Sequence, residues 1–170
     1  METKEEKMEQ GITHIGPGDG RSLRVLGEVV TYKITSERTG GAYSLFEIVS
    51  EPGGGPPPHV QHREDETFYV LEGEYEFLDD GHTMRVGTGS LVYVPKGNLH
   101  TYKNVGMTPG KMLVSQTPGG LHERFFEEIG QEEAQDKFKS MAHKGLPNAE
   151  RIVAVAAMYG IEIPPPTPSW

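Results

Sequence analysis

Punctuation restricts this chain more than any other feature. From Ser22 to Gln116, short runs rich in β-branched and aromatic residues are cut by glycine, proline or Asp-Gly at intervals of roughly 8–12 residues. Leu23 and Val25, then Val29, Val30, Tyr32 and Ile34, give the first strands, and Arg38-Thr39-Gly40-Gly41 turns the chain into a strand over 42–50. Tyr75 to Leu78 and Thr83 to Val86 flank Asp79-Asp80-Gly81-His82, where Asp-Gly tolerates the positive φ of a tight hairpin. Leu91 to Val94 and Met112 to Gln116 complete the set. Many short strands joined by frequent turns predict an all-β sandwich or barrel.

Composition agrees and excludes several functions. The 170 residues suffice for one domain with a core. With 22 glycines, 13 prolines and 35% apolar residues, the chain is richer in turns than in helices. A formal charge of −9, from 25 acids against 16 bases with no basic run, argues against nucleic acid or an anionic membrane as partner. No apolar stretch reaches the length of a membrane span, and Met1 to Gln10 lacks the apolar core of a signal peptide. The absence of cysteine removes disulfides and thiolate ligands and fits a cytoplasmic setting.

Chemistry concentrates between Gly53 and Asn104. Alternate residues of a strand share a face, so His59 and Gln61 lie together and His62 lies opposite. Glu66, Phe68 and Val70 share a face too, and a turn over 62–65 could bring Glu66 beside His59 and Gln61 in a sheet that curls on itself. His100 comes from a separate strand, with Tyr102 on its face. Pro56-Pro57-Pro58 cannot be a central strand and reads as a stiff lead-in to His59. Imidazole nitrogen with carboxylate oxygen suits a divalent ion such as Fe, Ni, Mn, Co or Zn. Phe68, Tyr93 and Tyr102 are the candidate walls of a small-molecule cavity.

These residues carry a resemblance. Gly53, five residues, His59, one residue, Gln61, four residues, Glu66, six residues, Gly73 resembles the first motif of the cupin superfamily, with Gln61 in place of a second histidine. Gly89, five residues, Pro95-Lys96-Gly97, two residues, His100, three residues, Asn104 is similar to the second motif without departure. The resemblance implies a jelly-roll β-barrel holding a metal through His59, Gln61, Glu66 and His100, and is nearest to small quercetin-dioxygenase-like cupins, which commonly form homodimers. It also implies cleavage by dioxygen of a small flavonol- or diketone-like molecule, with Glu66 either a permanent ligand or a catalytic base. The departure at 61 leaves three arrangements open: Gln61 ligates, Gln61 orients a metal-bound water, or His62 swings inward through a bulge. A metal-free binding barrel, or an isomerase or lyase, is the alternative.

Residues 1–20 read as a flexible segment, 21–118 as the barrel, and 119–170 as a helical extension with a proline-rich tail. Leu121, Phe125 and Ile129 recur at helical spacing, and a second helix is expected over Gln131–His143. Asn148 is the expected N-cap of a third helix that Gly160 closes. These helices are expected to pack outside the barrel, with His14, His82, His122 and His143 in solvent.

Overall fold

A computed structural model describes residues 11–132 and 148–166. The expected punctuation resolves into β1 (Ser22–Val25), β2 (Glu28–Ile34), β3 (Ser44–Ser50), β4 (His59–Gln61), β5 (Asp65–Glu72), β6 (Glu74–Asp79), β7 (His82–Gly87), β8 (Leu91–Val94), β9 (Leu99–Asn104) and β10 (Gly110–Thr117). Helix α1 (Leu121–Ile129), β11 (Gln131–Glu132), α2 (Ala149–Met158) and β12 (Ile161–Glu162) follow.

Two antiparallel sheets face each other, ordered β11-β1-β2-β3-β10-β5-β8 and β12-β4-β9-β6-β7. Alternation decides what lies between them. In β3, Ser44, Phe46, Ile48 and Ser50 point inward, and in β5 Glu66, Phe68 and Val70 do so. Phe46, Phe68, Tyr75, Phe77, Tyr102, Met112 and Val114 make the shared core. This is the all-β architecture that the turn spacing predicts and the jelly roll that the resemblance implies. The β6–β7 hairpin has the expected register, Leu78 opposite Thr83, and its turn sets Asp80 at φ 43° and Gly81 at φ 86°.

Beyond β10 the extension does more than pack. Gly119 passes so close to β3 that a Cβ there would lie 2.5 Å from Ser44 Oγ, and Gly120 has φ 116°, so the pair Gly119-Gly120 lets α1 start flush against the barrel. Asn148 caps α2 as expected, its side chain accepting a hydrogen bond from the Arg151 N–H at 2.8 Å. The expected helix from Gln131 is overturned where it is described. Gly130 is extended, and Gln131 and Glu132 pair with Arg24 and Leu23, satisfying the backbone of an otherwise open edge at β1. The remainder of that expected helix, with His143, lies outside the described residues, as do 167–170 of the proline-rich tail. Strand β12 covers β4 in the same way, Ile161 opposite Gln61.

Among the described residues no helix is long and apolar enough to cross a membrane.

Candidate metal centre

His59 and His100 are direct cross-strand partners in β4 and β9, their ring centroids 4.4 Å apart. Backbone carbonyls orient both rings: His59 Nδ1 lies 2.9 Å from the Pro57 oxygen, and His100 Nδ1 lies 3.1 Å from that of Asn98. A ring nitrogen facing a carbonyl must carry the proton, which makes Nε2 the nitrogen that bears the lone pair whenever the ring is neutral. The stiff proline lead-in therefore sets a tautomer as well as a position. Glu66 enters from β5 across the barrel, its Oε2 at 2.8 Å from His100 Nε2 and 3.7 Å from His59 Nε2. Gln116 on β10 donates to the other oxygen, Oε1, at 3.2 Å. One donor atom from each of His59, Glu66 and His100 falls within 4.8 Å of the others.

The electrostatics point to a cation. Burial, the largest influence, pushes the Glu66 carboxyl up, but His100 and His59 outweigh it and hold the group well below its ordinary range. His100 is moved up, against the pull of burial, chiefly by Glu66. Yet Glu66 Oε2 and His100 Nε2, though close, are not aligned as a hydrogen bond, and both stay buried and unpartnered with Gln61 Oε1. Buried polar atoms without a hydrogen bond are costly, and the gathered donors of His59, Glu66 and His100 are what a divalent ion requires. The residues present fit such an ion.

Gln61 is buried on the His59 face, as its spacing predicts. His62 faces outward with its side chain 50% exposed and pairs with Glu162 at 2.7 Å, so it does not swing inward. Phe68 and Tyr102 line the central cavity with His59, Glu66 and Gln116. Tyr93 does not. It is 57% exposed because β8 turns Val92 and Val94 inward and Leu91 and Tyr93 out. It borders instead a smaller depression shared with Met84 and His100.

Three site residues escape the sequence reading. His122, expected in solvent, is only 7% exposed and lines the cavity, its Nδ1 2.6 Å from Gln61 Nε2 and 4.0 Å from Glu66 Oε1. Glu64 is fully buried and accepts the backbone N–H groups of Leu121, at 2.9 Å, and His122, capping the start of α1. Glu28 lies in the cavity wall, accepting from Ser50 Oγ and, at 3.0 Å, from the Tyr102 hydroxyl. Burial, only partly offset by those two hydrogen bonds, pushes its carboxyl up to about 7. His14 and His82 are exposed, as expected.

A double antiparallel sheet that turns two imidazoles and a carboxylate toward one interior point defines a barrel of the cupin kind. Residues 46–115 match the Cupin_2 family, the cupin domain, and over that stretch the chain is similar to the cupin superfamily. It is 39% identical over 84 residues to germin-like protein subfamily 2 member 2 of Arabidopsis thaliana, covering 45% of this chain and 38% of that protein. It is 26% identical over 113 residues to quercetin 2,3-dioxygenase of Bacillus subtilis, covering 66% of this chain and 33% of the enzyme. The chain thus spans well under half the length of either relative. A Thermotoga maritima structure described as a predicted oxalate decarboxylase superposes with a TM-score of 0.59 at 19% identity, covering 62% of this chain and 99% of that one, a likeness of fold.

Proposed function

We propose that the chain holds a divalent first-row metal through His59, Gln61, Glu66 and His100 and acts as a metal-dependent oxidoreductase, a dioxygenase, on a small diketone-like molecule. The observation that carries this reading is the gathering of donor atoms from buried His59, Glu66 and His100 within 4.8 Å of one another, with Gln61 Oε1 buried and lacking a hydrogen-bond partner. When bound, the ion would supply Lewis acidity and, if redox-active, reaction with dioxygen. The chain's own groups do the rest. Two neutral imidazoles, one carboxylate and one carboxamide leave about one positive charge of a dication uncompensated, which favours an enolate over a neutral guest. Glu66 Oε2, when not ligating the ion, is the base at that point for a substrate C–H or O–H, while Gln116 fixes Oε1. Phe68, Val114, Phe125 and Phe126 keep water from the reacting atoms.

Cavity size and charge choose among oxygenated substrates. At about 50 Å³ the cavity has room for roughly three to five waters, far less than a flavonol. Among the described residues lining it there is no lysine or arginine, so a dianion such as oxalate would keep a buried charge unpaired. A neutral 1,3-diketone that ionises on binding meets the charge limit and, in its shortest members, comes nearer the size limit than a flavonol. Oxygen uptake by iron- or nickel-loaded protein with a series of 1,3-diketones, flavonols and oxalate tests this, with turnover expected for the short diketones alone.

Gln61 favours a second reading. A carboxamide is a weaker donor than the imidazole of the usual motif, which suits a binding protein, or an isomerase or lyase, better than redox chemistry. Ligand-induced thermal stabilisation with no oxygen uptake across the series would select it.

A further inference from the structure

Gln61 occupies a histidine position, but an amide can serve a metal from only one of its two ends. Oxygen at the centre makes a ligand, whereas nitrogen at the centre makes a hydrogen-bond donor that cannot ligate. Something must choose, and within the barrel proper nothing bonds to either end of this amide. The neighbour that does is His122, from the helix after the barrel, whose Nδ1 lies 2.6 Å from Gln61 Nε2. Accepting that N–H turns Oε1 the other way, and Oε1 is buried with no partner of its own.

His122 has little freedom to do otherwise. Its ring is tilted against Phe126 at 4.5 Å and set edge-on to Phe125 at 5.9 Å. Helix α1 is tied at its start by Glu64, whose carboxylate takes the first two N–H groups. Within the same first turn, Glu123 accepts from Ser36 Oγ at 2.7 Å and Ser44 Oγ at 2.6 Å. The Glu64 carboxylate, 3.7 Å from His122 Nδ1, competes for that ring nitrogen, but its oxygens are already engaged by the helix N–H groups.

We infer that His122 is a positioning residue that restores the missing fourth ligand of this centre, by holding the Gln61 amide with its oxygen toward His59, Glu66 and His100. This rests on the metal reading of the site. The usual single histidine is replaced by a couple, one partner in β4 and the other in α1, so the extension becomes part of the metal site and not merely its cover.

The test is a double-mutant cycle read by Co(II) binding, using calorimetry and the visible ligand-field bands of Co(II). His122→Phe keeps an aromatic ring against Phe126 and removes the acceptor, and His122→Ala is the second variant should the first distort α1. In the wild-type background either change is expected to weaken Co(II) about 10–100-fold, the range for loss of a group that orients a ligand, and to shift the bands. In a Gln61→His background, where no amide needs orienting, the same change is expected to cost less than about threefold. Equal losses in both backgrounds, or none in the wild type while His100→Ala still abolishes binding, would overturn the couple and leave the metal site standing. No Co(II) binding by wild-type protein, or binding indifferent to His100→Ala, would overturn the metal reading and the couple with it.

Discussion

Glu66 and Glu28 line the same cavity, are both almost wholly buried, and are driven in opposite directions. Burial pushes each toward the neutral acid, so burial does not separate them. Their partners do. Glu66 faces imidazoles that can carry positive charge and is held ionised, well below the ordinary range. Glu28 faces only the hydroxyls of Ser50 and Tyr102, whose hydrogen bonds are too weak to offset desolvation, and it is pushed up to about 7. One end of the cavity is thereby built for a cation and the other for a neutral hydrogen-bonding group.

The cation end is broken most completely by removing a donor. His100→Ala, or Glu66→Gln, which keeps shape and loses charge, is expected to lower metal affinity by well over 100-fold, beyond the 10–100-fold typical of outer-shell changes. Elemental analysis of protein purified without chelator checks it, and full metal content in either variant would defeat the ligand assignment.

The neutral end is sharpened by pH. An unfolded glutamate ionises near 4.5, whereas folded Glu28 keeps its proton to about 7. Between those limits the folded chain binds the extra proton, so stability falls as pH rises through the window and levels off above it. The full decline is about 3 kcal/mol from a shift of this size. His100, also moved up, acts with the same sign at its own, higher window, so the clean observable is the difference between wild type and Glu28→Gln. Urea unfolding at pH 5 and pH 8 should show Gln gaining on wild type by about 2–3 kcal/mol at the higher pH. A constant difference across pH would mean that Glu28 is ionised in the folded protein.

The two carboxylates also differ in how far the sequence exposes them. Glu66 is legible because its spacing from His59 and Gln61, with His100 in a second matched run, resembles the two cupin motifs and so implies a shared site, while the all-β architecture is legible from alternation and turns. Glu28 is not: a glutamate opening the run E-V-V-T-Y-K-I reads as a solvated strand end, and only the closing of β2 over β3 and β9 brings Ser50 and Tyr102 to it. His122 is hidden for a related reason. The period of Leu121, Phe125 and Ile129 marks one stripe, but the buried face also takes in His122, Glu123 and Phe126. That rotation is set by Glu64 and Glu123 anchoring α1, both of which read as surface acids in R-E-D-E and H-E-R. Tyr93 errs the other way, an aromatic in an apolar strand whose face is fixed by the inward turn of Val92 and Val94.

Tyr102→Phe probes the hydroxyl term alone. The Tyr102 hydroxyl reaches both Glu28 oxygens, at 3.1 and 3.0 Å, and lowers that group's pKa against the push of burial. Its loss should move the stability decline to higher pH and cost about 1–2 kcal/mol at neutral pH, where a buried acceptor loses a partner. A shift of the decline to lower pH would mean that burial is not what raises Glu28.

The smallest effect belongs to the barrel's outside. Tyr93 sits on the solvent face of β8 with Leu91, 61% exposed, for company, and both stand away from the two carboxylates. Tyr93→Ser removes an exposed ring and should change stability by no more than about 0.5 kcal/mol, with Co(II) affinity and the Glu28 pH profile unmoved. A larger loss of stability that grows with protein concentration would show instead that this face is covered by a second copy of the chain, since association stabilises by mass action. A change in Co(II) affinity at constant stability would place the ring within reach of His100 through the depression they share, and would tie the outer surface of β8 to the cation end of the cavity.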